Sequence, residues 1–397
     1  MDDAPAQALV NLATVRDNVT ALRRHVGAAS VMAVVKSDAY GHGLVPVATA
    51  ALAGGASWLG VIRVGEALAL RREGLTVPVL CLMSVPGGSH EEAIAHDVDL
   101  GVGSLAVLAE IAAAAERAGR PARVHLKADT GMSRGGATMA QWPALVAAAL
   151  TAQAAGHVHV VGLWSHLACA DMPGHRSIDA QLGVFREAVA LAEQAGARPE
   201  VRHLANTPAT LTLPQTWFDM VRCGGGVVGL PTLPGPMPEW LRPSMTVRAR
   251  LVQVKEVPPG AGVSYGHRYV TSSQSTLGLV PIGYAEGVPR DASGLVQVYA
   301  RGRRWFISGT VSMNQFVVDF GPAAAAEGDE VLLFGPGDSG EPTAQDWADA
   351  VGTISYEIAT SFGGRIPRSY FGVAYGDDAV PAGAGAEGAG RDGALPA

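Results

Sequence analysis

A (β/α)8 barrel followed by a mostly-β domain is the fold this sequence predicts. Two textures carry the prediction. From about Ala8 to Leu230 short apolar runs alternate with segments rich in Ala, Leu, Glu and Arg, and after Pro243 the chain turns to apolar–polar alternation. The first texture belongs to parallel strands buried under helices, the second to half-buried antiparallel strands. In order, the barrel strands are Val31–Val35, Trp58–Ile62, Val79–Leu82, Val98–Val102, Ala122–Leu126, Val158–Trp164, Val201–Leu204 and Met220–Arg222. Between them Leu44–Ala53, Val64–Arg72, Leu105–Ala118 and Ser177–Ala195 read as helices. Eight such units suit a barrel. An open doubly wound sheet shares the pattern, but no G-x-G-x-x-G follows the first strand.

The second domain begins with Ser244–Val257 and continues through Leu277–Ile282, Val296–Tyr299, Trp305–Val311, Phe316–Asp319 and Val331–Phe334, punctuated by Gly, Pro and Asp. We therefore divide the chain into a barrel over 1–240, a β domain over 241–376 and a Gly- and Ala-rich tail over 377–397, expected to be disordered. A net charge of -7 argues against binding to nucleic acid or an anionic membrane. Met1–Gln7 lacks the basic start of a secretory signal, and no apolar run is long enough to span a bilayer. Cys81, Cys169 and Cys223 are odd in number and widely spaced, which suits a reducing cytoplasm. The histidines His157, His159 and His166, with Cys169 and Asp171, form no recognisable metal-ligand pattern.

Chemistry concentrates at strand ends. Lys36 closes the first strand, where active-site groups of a barrel stand, and an amine desolvated there loses proton affinity and gains nucleophilicity toward an aldehyde. On position alone, such a lysine more often merely snorkels. The loops after strands seven and eight carry Ala205-Asn206-Thr207-Pro208 and Cys223-Gly224-Gly225-Gly226, whose hydroxyl, amide and backbone N–H groups suit a phosphate. Arg222 ends the eighth strand beside them.

The stretch Ala33–Gly43 (AVVKSDAYGHG) resembles the pyridoxal-phosphate lysine motif of bacterial alanine racemases. The resemblance runs in order from about Leu9 to Phe371, through KADTGMSRGG at Lys127, SHLACAD at Ser165, HLANTPA at His203 and MVRCGGGVVGL at Met220. It continues through GVSYGHRY at Gly262, PIGYAEGVPR at Pro281, GTVSMNQFVVD at Gly309 and GTISYE at Gly352.

The resemblance implies an isomerase that interconverts L- and D-alanine, a peptidoglycan precursor, working as a homodimer with shared active sites. Lys36 would carry pyridoxal 5'-phosphate and act as base on one face, and Tyr265 of the partner would act on the other. Inversion needs that pair, because a proton leaves one side of a planar carbon and returns on the opposite side. Arg222 would donate to the pyridine nitrogen, and His166 would link Arg222 toward Tyr265. Since an arginine holds its proton, the ring stays a weak electron sink and side reactions are limited. Arg134 would face the cofactor and the substrate carboxylate, oriented by Lys127 in carbamylated form. Tyr40, Asn206, Thr207 and Tyr356, with Gly224 and Gly225, would hold the phosphate. Met313 would meet the substrate carboxylate, and Tyr284 would narrow the entrance.

Two positions depart from the family pattern. Asn314 stands where Asp is usual, removing a negative charge near the entrance, and Val228 replaces a common aromatic residue near the cofactor. Asn314 keeps open a second reading, a racemase of serine or a broader set of amino acids. A non-catalytic pyridoxal-phosphate-binding protein is a third, weakened because Tyr265, Met313 and Tyr284 are all retained.

Overall fold

The computed structural model describes residues 4–235, 237–364 and 366–372. The expected tail over 377–397 lies outside them. The chain opens with β1 (Ala6–Asn11), followed by a helix over Leu12–Val26. Asn11 caps that helix by accepting from Thr14 N at 3.2 Å. Leu12, Val15, Val19, Leu22 and Val26 recur at helical spacing and are all buried, so the helix lies on the barrel by one apolar face. Truncating Leu22 to Ala there would cost roughly 2–5 kcal/mol.

Eight parallel strands follow: β2 (Ser30–Val34), β3 (Trp58–Val61), β4 (Val79–Cys81), β5 (Val98–Val102), β6 (Ala122–Lys127), β7 (Val158–Trp164), β8 (Val201–His203) and β9 (Met220–Cys223). They pair in the order β8-β7-β6-β5-β4-β3-β2-β9, so the last strand returns beside the first. The seam between β8 and β9 is bridged by Asp219 N to Arg202 O at 3.1 Å and Arg222 N to Ala205 O at 2.9 Å. The sheet is a nearly closed barrel, as the sequence predicts.

Strand alternation then sorts side chains between the barrel interior and the helical layer. Ala122, Val124 and Leu126 of β6 join the outer core, while Arg123, His125 and Lys127 take the opposite face. A small inner cluster of Met32, Val34, Trp58, Leu80, Val161 and Met220 fills part of the interior.

The second domain is built on β10 (Met245–Arg250), β11 (Gln253–Val257), β12 (Gly262–Val263), β13 (Tyr269–Val270), β14 (Ser275–Val280), β15 (Gln297–Ala300), β16 (Arg303–Ser308), β17 (Phe316–Asp319), β18 (Glu330–Phe334) and β19 (Arg368–Phe371). Its large sheet runs β11-β14-β17-β16-β15-β18-β10-β1-β19, while β12 and β13 form a separate two-stranded ribbon. Two features differ from the sequence reading. The first strand, expected within the 1–240 unit, lies in this sheet between β10 and β19. Its alternating burial is that of a strand with one covered face, unlike the fully buried β3, β4 and β5. The domain also holds helices over Ala344–Val351 and Ser355–Ser361.

Candidate active site

Lys36 follows β2 and begins an unusual turn. Ser37, Asp38, Ala39 and Tyr40 all have φ between 52° and 56°, one left-handed turn made without glycine. Each such residue costs roughly 1–2 kcal/mol, so surrounding contacts must hold it. Ser37 N donates to Glu66 Oε1 at 2.6 Å, and Leu44 N donates to Asp38 Oδ1 at 2.7 Å. From the far end of the chain, Arg368 on β19 pairs with the Asp38 carboxylate and donates to Gly41 O at 3.0 Å. The turn brings Tyr40 against Gly224, where a Cβ would overlap the Tyr40 phenol.

Tyr356, on the Ser355–Ser361 helix, stands against Gly225 in the same way and meets Tyr40 edge-on at 5.5 Å between ring centroids. Thr207 Oγ1 accepts from Gly224 N at 3.1 Å and Gly226 N at 3.3 Å. Burial above all raises the pKa of both phenols, helped at Tyr40 by Tyr356 and at Tyr356 by Cys223, so each remains a neutral hydrogen-bond donor. Two phenols, a threonine and a glycine backbone thus meet at one spot drawn from both domains. Asn206 adjoins it, but its side-chain carbonyl accepts from Ala209 N at 3.2 Å as a helix cap, leaving only its amide for a ligand.

Arg222 is 4% exposed. Its Nη1 donates to His203 O at 2.9 Å and toward His203 Nδ1 at 3.0 Å, and its Nη2 serves Ser165 O at 2.7 Å, Leu204 O at 3.1 Å and His166 Nδ1 at 3.1 Å. Among the described residues these acceptors occupy both Nη groups and leave Nε–H free for a bound group. Burial brings the guanidinium down to about 9, so it still keeps its proton at neutral pH. His166 is pushed low by burial and by Arg222, Arg134, Lys127 and Lys36, and stays neutral.

Burial and the charge of Arg134 lower the Lys36 amine, partly offset by Glu66. Lys127, with Nζ 4.5 Å from the Trp164 ring centroid, is brought to about 8 by burial and then by Arg222 and Arg134. Arg134 is exposed, and its charge acts on all three groups.

The β-domain residues are arranged differently. Tyr265 sits between β12 and β13 and is 71% exposed, Met313 is 56% exposed and Tyr284 is 43% exposed. Tyr284 N donates to Ser312 O at 3.1 Å and Ala285 N to Met313 O at 2.8 Å, zipping their two loops together. Asn314 Nδ2 donates to Glu286 Oε1 at 2.6 Å, and Glu286 Oε2 accepts from Gly283 N at 2.9 Å. The lost charge at Asn314 is therefore matched by a hydrogen bond to the neighbouring carboxylate. Val228 is buried and lines a cavity of about 20 Å³ with His42, Leu230 and Phe334. Sequence reasoning assigned no role to Glu66, Arg368, Asp99 or His125. For His125 the signal was available, since ARVHLK sets Arg, His and Lys on one strand face.

Comparison with known proteins agrees with this layout. The family model described as alanine racemase, N-terminal domain, matches residues 10–232, and that for the alanine racemase C-terminal domain matches 244–370. An alanine racemase of Salinispora arenicola is 55% identical over 92% of this chain and 98% of its own length. A crystal structure of alanine racemase from Streptomyces lavendulae superposes with a TM-score of 0.91 at 51% identity, covering 94% of this chain and 99% of that one. A Bacillus anthracis alanine racemase structure with bound L-Ala-P gives a TM-score of 0.85 at 31% identity, covering 93% and 95%. With both halves of the family matched in order across both of its domains, the chain belongs to the alanine racemase family.

Proposed function

We propose that this protein racemises alanine with pyridoxal 5'-phosphate bound at Lys36. The observation that carries the reading is the convergence of a desolvated amine, a cradle of neutral donors and a buried arginine with one free N–H around the barrel mouth. Those groups fit the cofactor: Tyr40, Tyr356, Thr207 and the backbone of Gly224 and Gly225 for its phosphate, and Arg222 Nε–H for its ring nitrogen. The Asn206 amide is a further donor to the phosphate. When bound, pyridoxal phosphate supplies an electron-accepting ring that stabilises charge at the substrate Cα.

Lys36 carries the proton on one face of that carbon. The partner subunit's Tyr265 carries it on the other, and a Tyr265 left 71% exposed on a hairpin suits delivery to a neighbouring molecule. His166, neutral and hydrogen-bonded to Arg222, extends that network toward the incoming phenol. Arg134 neutralises the substrate carboxylate, assisted by the Met313 backbone of the partner. Lys127 titrates near neutrality, so its free amine is available to take up carbon dioxide as a carbamate that orients Arg134. We assign the protein to the cytoplasm, as three unpaired cysteines suit, with D-alanine destined for peptidoglycan. Among the described residues no helix is long and apolar enough to cross a membrane.

The rigid Tyr284 and Asn314 loops favour a small substrate, alanine before serine. Chiral chromatography over a panel of amino acids tests this: alanine should be scrambled fastest, and a protein that scrambles none refutes the function. Tyr265→Phe should retain bound cofactor while turnover falls about 10²–10⁴-fold, the range for a lost acid–base group. Light scattering that finds only monomer in the active enzyme would overturn the shared site.

A further inference from the structure

A line of polar groups crosses the barrel interior, where an apolar core is the rule. It starts at Asp99, second residue of β5, which is 1% exposed. Asp99 Oδ2 lies 3.1 Å from His125 Nε2, His125 Nδ1 lies 2.9 Å from His203 Nε2, and His203 Nδ1 lies 3.0 Å from Arg222 Nη1. Both histidines are fully buried, and Trp164 stacks on His203 with planes 7° apart. At the outer end Arg123 Nε donates to Asp99 Oδ1 at 2.8 Å.

We propose that Asp99, His125 and His203 are positioning residues that hold Arg222 in one orientation and keep it a donor, through hydrogen bonds that all point the same way. The inference rests on the assignment of Arg222 to the cofactor's ring nitrogen made above.

Its logic is proton counting. An ionised carboxylate only accepts, so His125 must carry its proton on Nε2. From the other end Arg222 only donates, so His203 Nδ1 accepts from its Nη1, the His203 proton lies on Nε2, and His125 Nδ1 is the acceptor of that N–H. Reversing either imidazole would set two lone pairs or two hydrogens against each other inside the barrel, at a cost typical of unsatisfied buried groups. Burial works against ionisation of Asp99, but hydrogen bonds from His125 and Arg123 outweigh it and hold the carboxyl below its ordinary value. Burial, then Arg222, keeps His203 neutral. No carboxylate forms an ion pair with Arg222 among the described residues. The carboxylate that ends the line is paired with Arg123 instead, so the Arg222 Nε–H is not drawn into a salt bridge.

The test uses dimeric holoenzyme labelled with 15N-histidine. In the wild type two neutral imidazoles, identified by their loss in His125→Leu and His203→Leu, should both show Nε2–H with Nδ1 unprotonated at neutral pH. A doubly protonated ring, or Nδ1–H at either position, overturns the proposal, and this arm needs no variant to be active. His125→Leu, which touches no ligand, should lower kcat about tenfold with KM for alanine and the stoichiometry of cofactor at Lys36 unchanged. A folded His125→Leu enzyme with kcat within about twofold of wild type also overturns it. Wild-type protein that takes up no pyridoxal phosphate overturns the functional reading and this inference together. Uptake with a reversed tautomer overturns this inference alone.

Discussion

Substituting Gly224 by Ala puts the phosphate cradle to a direct test. Gly224 has φ of -111°, so alanine is tolerated by the backbone and only the new methyl matters. That methyl would lie 2.7 Å from Tyr40 Cζ and nearer still to the hydroxyl oxygen. An ordinary contact needs about 3.5 Å, so the phenol must retreat by more than about 0.8 Å or swing away. Retreat is opposed by Tyr356, packed edge-on, and by the left-handed turn that carries Tyr40. The result is one lost or badly stretched hydrogen bond to a dianion. Hydrogen bonds to charged groups contribute about 1.5–3 kcal/mol, so affinity for pyridoxal phosphate should weaken roughly 10- to 150-fold. The assay is a spectroscopic titration of apo-enzyme with pyridoxal phosphate and, in parallel, with pyridoxal. The second compound lacks the phosphate, and its affinity should barely move. Equal losses for both aldehydes, or unchanged affinity for pyridoxal phosphate, would refute the cradle.

Two further predictions concern charge. Asn314→Asp replaces a donor to Glu286 with a second carboxylate, so the entrance loop should loosen. A loss of about 1 kcal/mol predicts KM for alanine raised about fivefold, and an unchanged KM would count against it. Lys127 has a folded pKa of about 8, below its unfolded value of 10.5, so the folded protein binds fewer protons between those limits and stability rises with pH across them. In buffer free of carbon dioxide, Lys127→Met should raise Tm at neutral pH and remove that gain, and a variant less stable than wild type at neutral pH would contradict it.

The barrel was legible because its signals are local. The bounds of β5, β7 and the Leu44–Ala53 helix were read correctly from apolar runs and helical spacing alone. The left-handed turn at Ser37–Tyr40 was not legible, because its residues have no intrinsic taste for positive φ and one of its clamps, Arg368, lies 330 residues beyond Asp38. Membership of β1 in the second sheet was lost for a similar reason. Its AQALVN alternation marks a half-buried strand, yet nothing local names the partner, Met245–Arg250. The histidine line fell between the two cases: three inward positions on β6 are too few for a period to stand out until β5 and β8 supply the neighbours.

The charge balance of the mouth explains why it should bind an amino acid and a phosphorylated aldehyde rather than a simple amine. Lys36, Lys127, Arg134 and Arg222 act electrostatically on one another. The two carboxylates that temper them are already engaged by the backbone. Glu66 accepts from Ser37, Ile62 and Arg63 N–H groups, and Asp129 Oδ1 accepts from Gly131, Met132 and Ser133 N–H groups. The cluster is left short of negative charge, and in a site partly shut off from water that shortage is felt strongly. A phosphate, a substrate carboxylate and a carbamate on Lys127 would each relieve it, whereas an amine without a carboxylate would add to the repulsion. Selection for the α-carboxylate therefore follows from the four cations as a group, before any single contact to Arg134 is considered.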